Sequence, residues 1–224
     1  MFASVHVVGT GRAGGAIAAR LRQRGVVITT GREPEPAAEL VLLAVPDAAI
    51  VEVAQRIRIG PWVAHVSGAT QLRALDPHRE RFSVHPLQTL TRGRGPEQLD
   101  GAWAAIGAED DAARERARWL ADTLGLRWFE VADGDRALYH AGAVIGGNFL
   151  VTLYRAASRL LVDVGAPPEA IVPLMTRTIE NGFDLTGPIA RGDWATVEAH
   201  LRALETRAPD LVPLYRVLAN ATRR

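Results

Sequence analysis

Cysteine and lysine are both absent from this chain of 224 residues, and all 26 basic residues are arginine. Without cysteine the protein has no disulfide, no thiolate nucleophile and no thiolate metal site. Without lysine it has no Schiff-base amine and no lysine general acid, and arginine is too strongly basic to replace lysine in proton transfer. A proton donor must therefore be histidine, tyrosine, aspartate, glutamate or water.

Strong net charge and long apolar runs are also missing. The formal net charge of +1 provides no basic field for nucleic acid. No apolar run approaches the roughly 20 residues that span a bilayer, and the sequence opens into a strand without a signal-peptide pattern. The six histidines lack metal-ligand spacing. We expect a cytoplasmic protein that binds no metal, no nucleic acid and no membrane.

The first half of the chain alternates short apolar runs with helical patterns. The run 40–45 is continuously apolar, which is typical of a strand buried on both faces of a parallel sheet. Asp47 follows this run and is predicted to cap a helix over 48–57. Strands alternating with helices predict an α/β fold with a doubly wound parallel sheet of the Rossmann type.

After Ala132 the β-branched runs stop and apolar residues recur at helical spacing. The pattern predicts one helix over about 135–164, roughly 45 Å long, followed by three shorter helices. We therefore predict two domains, a dinucleotide-binding domain over 1–132 and an all-α domain over 133–224 that binds substrate and mediates dimerisation.

A glycine-rich loop follows the first strand and opens the first helix. This is the context that a GxGxxG motif requires for binding a dinucleotide. Its glycines allow a tight turn, close approach of the pyrophosphate and tight packing of helix on strand, and the helix N-terminus faces the phosphates. The predicted contacts are Gly9, Thr10, Gly11, Arg12, Ala13 and Gly14.

The end of the second strand favours NADP(H) over NAD(H). An acidic residue at this position would bind the ribose 2′-hydroxyl, but the strand ends in Thr30-Gly31-Arg32. Arg32 and Thr30 are suited to a 2′-phosphate. Glu33 follows directly, so an NAD-type contact stays open, as does a solvated surface role for Arg32.

Several motifs resemble a known superfamily. They are Leu43-Ala44-Val45-Pro46-Asp47, His65-Val66-Ser67-Gly68-Ala69, Val84-His85-Pro86-Leu87-Gln88-Thr89, Tyr139-His140 and the segment from Leu185 to Asp193. A Rossmann domain followed by a long helix and a helical cap is similar to 6-phosphogluconate dehydrogenase, ketopantoate reductase and pyrroline-5-carboxylate reductase. Together the motifs resemble the DUF2520 group of Rossmann-like proteins, which is similar to an alternative ketopantoate reductase. The resemblance covers essentially the whole chain.

The resemblance implies roles for individual residues. Val45 and Pro46 would pass beside the ribose and nicotinamide of the cofactor. His85, placed just after a strand, resembles the histidine that bonds the substrate hydroxyl in prephenate dehydrogenases. A histidine near its free pKa of about 6.5 could protonate an alkoxide. The alternative is a histidine that only caps its loop.

The catalytic lysine of ketopantoate reductases is absent, so His140 or its neighbour Tyr139 would replace it as proton donor. A purely structural role for His140 between the two domains is the alternative. Asn148 could match the asparagine that follows the family's lysine. The loop from Thr186 resembles the carboxylate-binding loop of pyrroline-5-carboxylate reductases, although it could be a plain connection. The predicted substrate contacts are Ser67, Gln88, Asn148, Thr186, Gly187 and Arg191.

These observations predict an NADPH-dependent reductase of a small carboxylate-bearing carbonyl compound, such as the 2-oxo acid ketopantoate. His85 and His140 are the candidate catalytic residues. An imine reductase of the pyrroline-5-carboxylate type and a non-catalytic NADP(H) sensor are the alternatives. The long helix is expected to pack against its counterpart in a homodimer, as in the enzymes it resembles.

Overall fold

The structure, a computed structural model, describes residues 1–223. Contacts divide the chain into two compact units, Met1–Gly147 and a second unit that begins at Asn148. This division falls inside a long helix. The change in sequence character on which we placed the domain boundary lies earlier, near residue 132, where the strands end.

The first unit contains a mainly parallel β-sheet. Within residues 1–223 this sheet has seven strands in the order β2-β1-β3-β4-β5-β6-β7. The strands are β1 (Ser4–Val8), β2 (Val27–Gly31), β3 (Leu40–Leu43), β4 (Trp62–His65), β5 (Arg81–Leu87), β6 (Trp103–Ala108) and β7 (Arg127–Glu130).

Helices cover both faces of the sheet. They are α1 (Arg12–Gln23), α2 (Ile50–Arg56) and α3 (Asp111–Leu124). Leu40 and Leu42 of β3 belong to one buried cluster with residues of α1 and α3, while Val41 and Leu43 belong to another with α2. The continuous apolar run of β3 is therefore explained by burial on both faces, and the doubly wound architecture is confirmed.

Two details of this half differ from the prediction. Strands β5 and β6 are antiparallel, because the segment between them holds a single 3-10 turn, Pro96–Leu99, rather than a crossover helix. The predicted cap at Asp47 is wrong. Asp47–Ala49 forms a separate 3-10 turn without a side-chain cap, and α2 begins only at Ile50.

The chain after β7 is helical, which confirms the predicted all-α region. Its helices are α4 (Arg136–Asp163), α5 (Ile171–Glu180), α6 (Trp194–Arg207) and α7 (Val212–Thr222). The carboxylate of Asp193 accepts a hydrogen bond from the backbone N–H of Thr196 and caps α6. Among the described residues, no helix combines the length and apolarity needed to cross a membrane.

Candidate active site

The glycine loop connects β1 to α1 and is closely packed from below. A Cβ on Gly9, whose φ is +96°, would lie 2.5 Å from the carbonyl oxygen of Ala44, and a Cβ on Gly14 would overlap the carbonyl oxygen of Gly9. A Cβ on Gly11, in contrast, would meet nothing within 4 Å. Gly9 and Gly14 thus leave no room for a side chain, whereas the surface beside Gly11 is open to a ligand.

This open surface lies at the N-terminus of α1. Gly11 is the N-cap residue and supplies no side-chain hydrogen bond to the first turn, so the backbone N–H groups there are available to an anion. The neighbouring side chains of Thr10 and Arg12 are exposed. The loop therefore fits the pyrophosphate of a dinucleotide.

The tip of β2 lies beside this loop, because β2 pairs with β1 along its length. Thr29 is engaged, since its hydroxyl lies 2.8 Å from Nδ1 of the buried His6. Thr30 and Arg32 are exposed at the same tip, and so is Glu33. The placement is compatible with both nicotinamide dinucleotides, and the preference for one of them stays a prediction.

The end of β3 packs against the glycine loop from the other side. Cγ1 of Val45 lies 3.2 Å from the position that a Cβ on Gly9 would occupy, and Pro46 is exposed. Asp47 follows, and its charge raises the pKa of His85 against larger opposing effects. The segment predicted to line the cofactor is therefore within electrostatic reach of the histidine.

The predicted position of His85 just after a strand is wrong, because His85 lies inside β5. It pairs with Ala105 of the antiparallel neighbour β6, and this pairing continues through Pro86 to Leu87. Pro86 cannot donate a ladder hydrogen bond, yet the strand continues through it. The antiparallel partner that extends the strand was not visible in the sequence.

Helix α4 brings two further side chains to His85. The hydroxyl of Tyr139 lies 2.7 Å from Nδ1 of His85, and the ring of His140 stands 5.8 Å from the ring of His85 in an edge-on arrangement. The ring of Tyr139 also packs edge-on against Phe129 of β7, at 5.8 Å. The two predicted catalytic histidines, His85 and His140, thus lie next to each other, and Tyr139 links α4 to β5.

Gly68 lies between the two histidines. A Cβ at this position would lie 2.6 Å from Cδ2 of His140 and 3.0 Å from Nε2 of His85. Atoms cannot approach this closely without a shift. Glycine at residue 68 is therefore what allows both imidazoles to approach the loop after β4.

A buried arginine anchors the start of α4. The guanidinium of Arg136 is fully buried and donates hydrogen bonds to the carboxylate of Asp133, to the hydroxyl of Ser83 and to the carbonyl oxygens of Ser67 and Gly68. Each of these partners is an acceptor, as a buried charge requires. Arg136 thus fixes both the helix start and the loop that carries Gly68.

Spacing explains why these contacts occur in register. Ser83 and His85 lie two apart and share one face of β5, while Arg136 and Tyr139 lie three apart and share one face of α4. Ser83 bonds Arg136 and His85 bonds Tyr139. Gly107 faces Ser83 across the sheet, and a Cβ there would lie 2.8 Å from Nη2 of Arg136.

The environment keeps His85 and His65 neutral. Burial, followed by the charges of His140 and Arg136, lowers the pKa of His85 from 6.5 to about 4. Burial, followed by Arg136 and His85, lowers the pKa of the enclosed His65 to about 3. The expectation that His85 titrates near its free pKa is wrong, because Arg136 and burial both disfavour a second positive charge.

Tyr139 is shifted in the opposite direction. Burial raises its pKa to about 12, and the charge of Arg136 opposes this rise. The phenol is therefore protonated at neutral pH. The site presents a neutral imidazole that contacts a neutral phenol, which is an arrangement able to donate a hydrogen bond and to pass a proton.

Two other predicted contacts in this unit are engaged locally. The hydroxyl of Ser67 accepts from the backbone N–H groups of Ala69 and Thr70 and donates to the hydroxyl of Thr70. Gln88 is exposed, and its amide oxygen accepts from the N–H of Thr89. Substrate contact by either side chain stays a prediction.

The remaining predicted substrate residues belong to the second unit. Asn148 is exposed on α4, and Thr186 and Arg191 are exposed in the segment between α5 and α6. Gly187 has a φ of +90°, so it forms a turn that favours glycine. Their roles in binding substrate stay predictions.

The sequence interpretation missed Arg136, Ser83 and Gly107. Arg136 stands three and four residues before Tyr139 and His140, so helical spacing could have placed it on the same side of α4. Ser83 and Gly107 gave no such signal, because their roles depend on the pairing of β5 with β6.

The profile of a protein family described as "Domain of unknown function (DUF2520)" matches residues 102–222. The chain belongs to this family. The predicted membership is therefore confirmed. Tyr139 and His140 of α4 lie within the matched region. No match to the chain was found among curated proteins.

Solved structures of proteins from several organisms are similar to this chain. A Bacteroides fragilis protein described provisionally as an NADP oxidoreductase has a TM-score of 0.84 at 21% identity, over 99% of this chain and 98% of that one. A Thermotoga maritima protein has a TM-score of 0.72 at 24% identity, over 98% and 100%. The NADP-bound pyrroline carboxylate reductase of Plasmodium falciparum has a TM-score of 0.61 at 12% identity, over 99% and 98%. At these identities the similarities establish the fold.

Proposed function

We propose that this protein is an NADPH-dependent reductase of a small carboxylate-bearing carbonyl compound, with a 2-oxo acid such as ketopantoate as the leading candidate. One observation carries the proposal. The first unit combines an open glycine loop after β1 with a neutral His85–Tyr139 pair on β5 and α4. Strands β1, β3, β4 and β5 are parallel neighbours, and ligands of such sheets bind at their carboxyl ends.

The glycine loop would hold the cofactor, with the N-terminus of α1 at the pyrophosphate. Bound there, reduced nicotinamide supplies a hydride. Thr30 and Arg32 would contact a 2′-phosphate, which supports NADPH over NADH.

The substrate carbonyl would be oriented by the imidazoles of His85 and His140. A donor placed at the carbonyl oxygen stabilises the negative charge that develops there during reduction. In the second unit, the exposed guanidinium of Arg191 and the turn at Thr186 and Gly187 offer donors suited to a carboxylate. Asn148 is the further polar contact that we propose on α4.

The test is the oxidation of NADPH, followed by its absorbance, over a panel of 2-oxo acids and cyclic imines. We expect turnover of a 2-oxo acid and its loss in the double variant His85→Gln, His140→Gln. A cyclic iminium accepts hydride without a protein proton donor, so turnover of imines that survives in this variant would support the pyrroline-5-carboxylate type of reaction instead. Tight NADPH binding without turnover of any compound would support a sensor.

A further inference from the structure

We propose that Tyr139 is the proton source of this site and that His85 is its conduit, receiving the proton at Nδ1 and delivering another from Nε2 to the substrate oxygen. The inference rests on the proposed reductase function. It assigns to Tyr139 the supply of the proton, because a neutral imidazole that gave up its Nε2 proton would become an imidazolate unless Nδ1 received another proton.

The direction of the hydrogen bond follows from the protonation states. The phenol hydroxyl has no hydrogen-bond partner within residues 1–223 other than Nδ1 of His85. If Nδ1 carried the proton of the imidazole, the phenol proton would be left without an acceptor in a half-buried position. We therefore assign the phenol as the donor to Nδ1, which places the proton of the neutral imidazole on Nε2.

The geometry directs Nε2 away from the tyrosine. Nε2 faces Gly68, at 3.0 Å from the position that a Cβ would occupy there. Because residue 68 has no side chain, it does not block Nε2. His85 thus has one nitrogen committed to Tyr139 and the other available to a substrate oxygen.

The proton transfer balances. After the carbonyl carbon has gained a hydride, the electron pair released from the C=O bond resides on oxygen. This oxygen takes the proton of Nε2, while Nδ1 takes the proton of the phenol, so the imidazole stays neutral throughout. The products are the alcohol and the tyrosinate of Tyr139. The pair is restored when Nε2 takes a proton from water, which releases hydroxide to the solvent, and Nδ1 returns its proton to the tyrosinate.

Energetics favour this direction. Even with its pKa raised to about 12 by burial, the phenol is a stronger acid than an aliphatic alcohol, whose acidity is close to that of water. The guanidinium of Arg136, three residues earlier on α4, attracts the tyrosinate and lowers the free energy needed to form it. An imidazolium intermediate is unnecessary, which agrees with the cationic surroundings of His85.

The test is the tautomer of His85 in the full chain without substrate, measured by 15N NMR of histidine-labelled protein at pH 7.5. The resonances are assigned with His85→Gln. We expect the wild type to show the neutral Nε2–H form and Tyr139→Phe to show a mixture of tautomers or exchange between them. A proton on Nδ1 of the wild type, or an imidazolium, would overturn the proposal whatever the substrate is.

The chain contains a matched control. Tyr215 contacts Nδ1 of His200 through its hydroxyl at 2.8 Å, with the rings edge-on as in the His85 pair. Tyr215→Phe should alter the signals of His200 and leave those of His85 unchanged. An unaltered melting temperature of Tyr139→Phe would show that the tautomer, and not folding, has changed.

Kinetics separate this inference from the proposed function. With the 2-oxo acid found in the panel, Tyr139→Phe should lower kcat about 10²-fold at nearly constant KM. Unchanged kcat would overturn the relay while leaving the reductase intact. If no compound in the panel turns over, the proposed function fails, and the NMR result still decides the state of the His85–Tyr139 pair.

Discussion

Gly68 and His140 are so close that a Cβ on residue 68 would lie 2.6 Å from Cδ2 of the imidazole. We therefore expect Gly68→Ala to displace His140 and His85 and to lower kcat/KM about 10²-fold, since small misplacements of reacting groups are costly. Steady-state kinetics with NADPH measures this loss. The control is Gly142→Ala on α4, where an added Cβ would meet nothing within 4 Å. This variant should be more stable than the wild type by about 0.5–1 kcal/mol, because glycine is unfavourable inside a helix. Equal kinetics of Gly68→Ala and wild type would contradict the assignment.

The buried Arg136 should be a major source of stability. Arg136→Met removes the donor from two carbonyl oxygens, the Ser83 hydroxyl and Asp133. Because unsatisfied buried acceptors are costly, we expect the free energy of unfolding to fall by about 2–4 kcal/mol in urea titrations. Arg159→Met breaks an exposed pair with Asp210 and should cost at most about 1 kcal/mol. Similar losses in both variants would show that burial of Arg136 contributes little.

The histidines predict a dependence of stability on pH. His65 and His85 have folded-state pKa values of about 3 and about 4, below the 6.5 of the unfolded chain. Between these values and pH 6.5 the unfolded state binds more protons than the folded state. The free energy of unfolding is therefore highest above pH 6.5, as far as these histidines determine it, and decreases as the pH falls. Each histidine contributes a slope of about 1.4 kcal/mol per pH unit in that window.

Urea unfolding at pH 7.5 and pH 5.5 measures this effect, and the upper part of the window avoids titration of carboxylates. The variant His85→Gln should show a smaller difference between the two pH values than the wild type, because one of the two histidines no longer titrates. A wild-type free energy of unfolding that is the same at both pH values would refute the neutral state of these histidines.

Much of the fold followed from local patterns. Apolar runs such as 40–45, the glycine loop at Gly9 and the helical spacing after residue 132 depend on neighbouring residues, so one sequence suffices to identify them. The antiparallel pairing of β5 with β6 depends on residues about 20 positions apart. It could not be predicted, and the placement of His85 inside a strand was missed with it.

The candidate site shows the same limit. His85, Tyr139 and His140 could be proposed because their side chains carry protons. The pKa values of His85 and Tyr139 could not, because these depend on burial and on Arg136, whose guanidinium is enclosed only after α4 has packed on β5. The local turn of Ser67 with Thr70 was not visible for the same reason, since it exists only in the folded loop, and substrate contact by Ser67 stays a prediction.

Cofactor preference can be tested at Arg32. Arg32→Asp should raise the Kd of NADPH about 10- to 10²-fold relative to that of NADH, because a charge-assisted hydrogen bond is lost and a like charge is introduced. Fluorescence titration with both cofactors measures the ratio. Arg24→Asp makes the same charge change at an exposed position at the opposite end of α1 and should leave the ratio unchanged. An equal effect of Arg32→Asp on both cofactors would refute contact with the 2′-phosphate.

We propose that α4 mediates the expected homodimer. Its 28 residues span about 42 Å, and Leu138, Ile145 and Phe149, which share one face of the helix, are 77%, 62% and 53% exposed. Large apolar side chains exposed in a row along one helix are typical of an interface. Phe149→Asp should therefore convert the dimer to a monomer and make the protein less stable, because folding and association are linked. Light scattering coupled to size exclusion measures the mass, with Gln55→Glu, which adds a negative charge at an exposed position of α2, as the charge control. A monomeric wild type at micromolar concentration would disprove the dimer, whereas a dimer that survives Phe149→Asp would place its interface elsewhere.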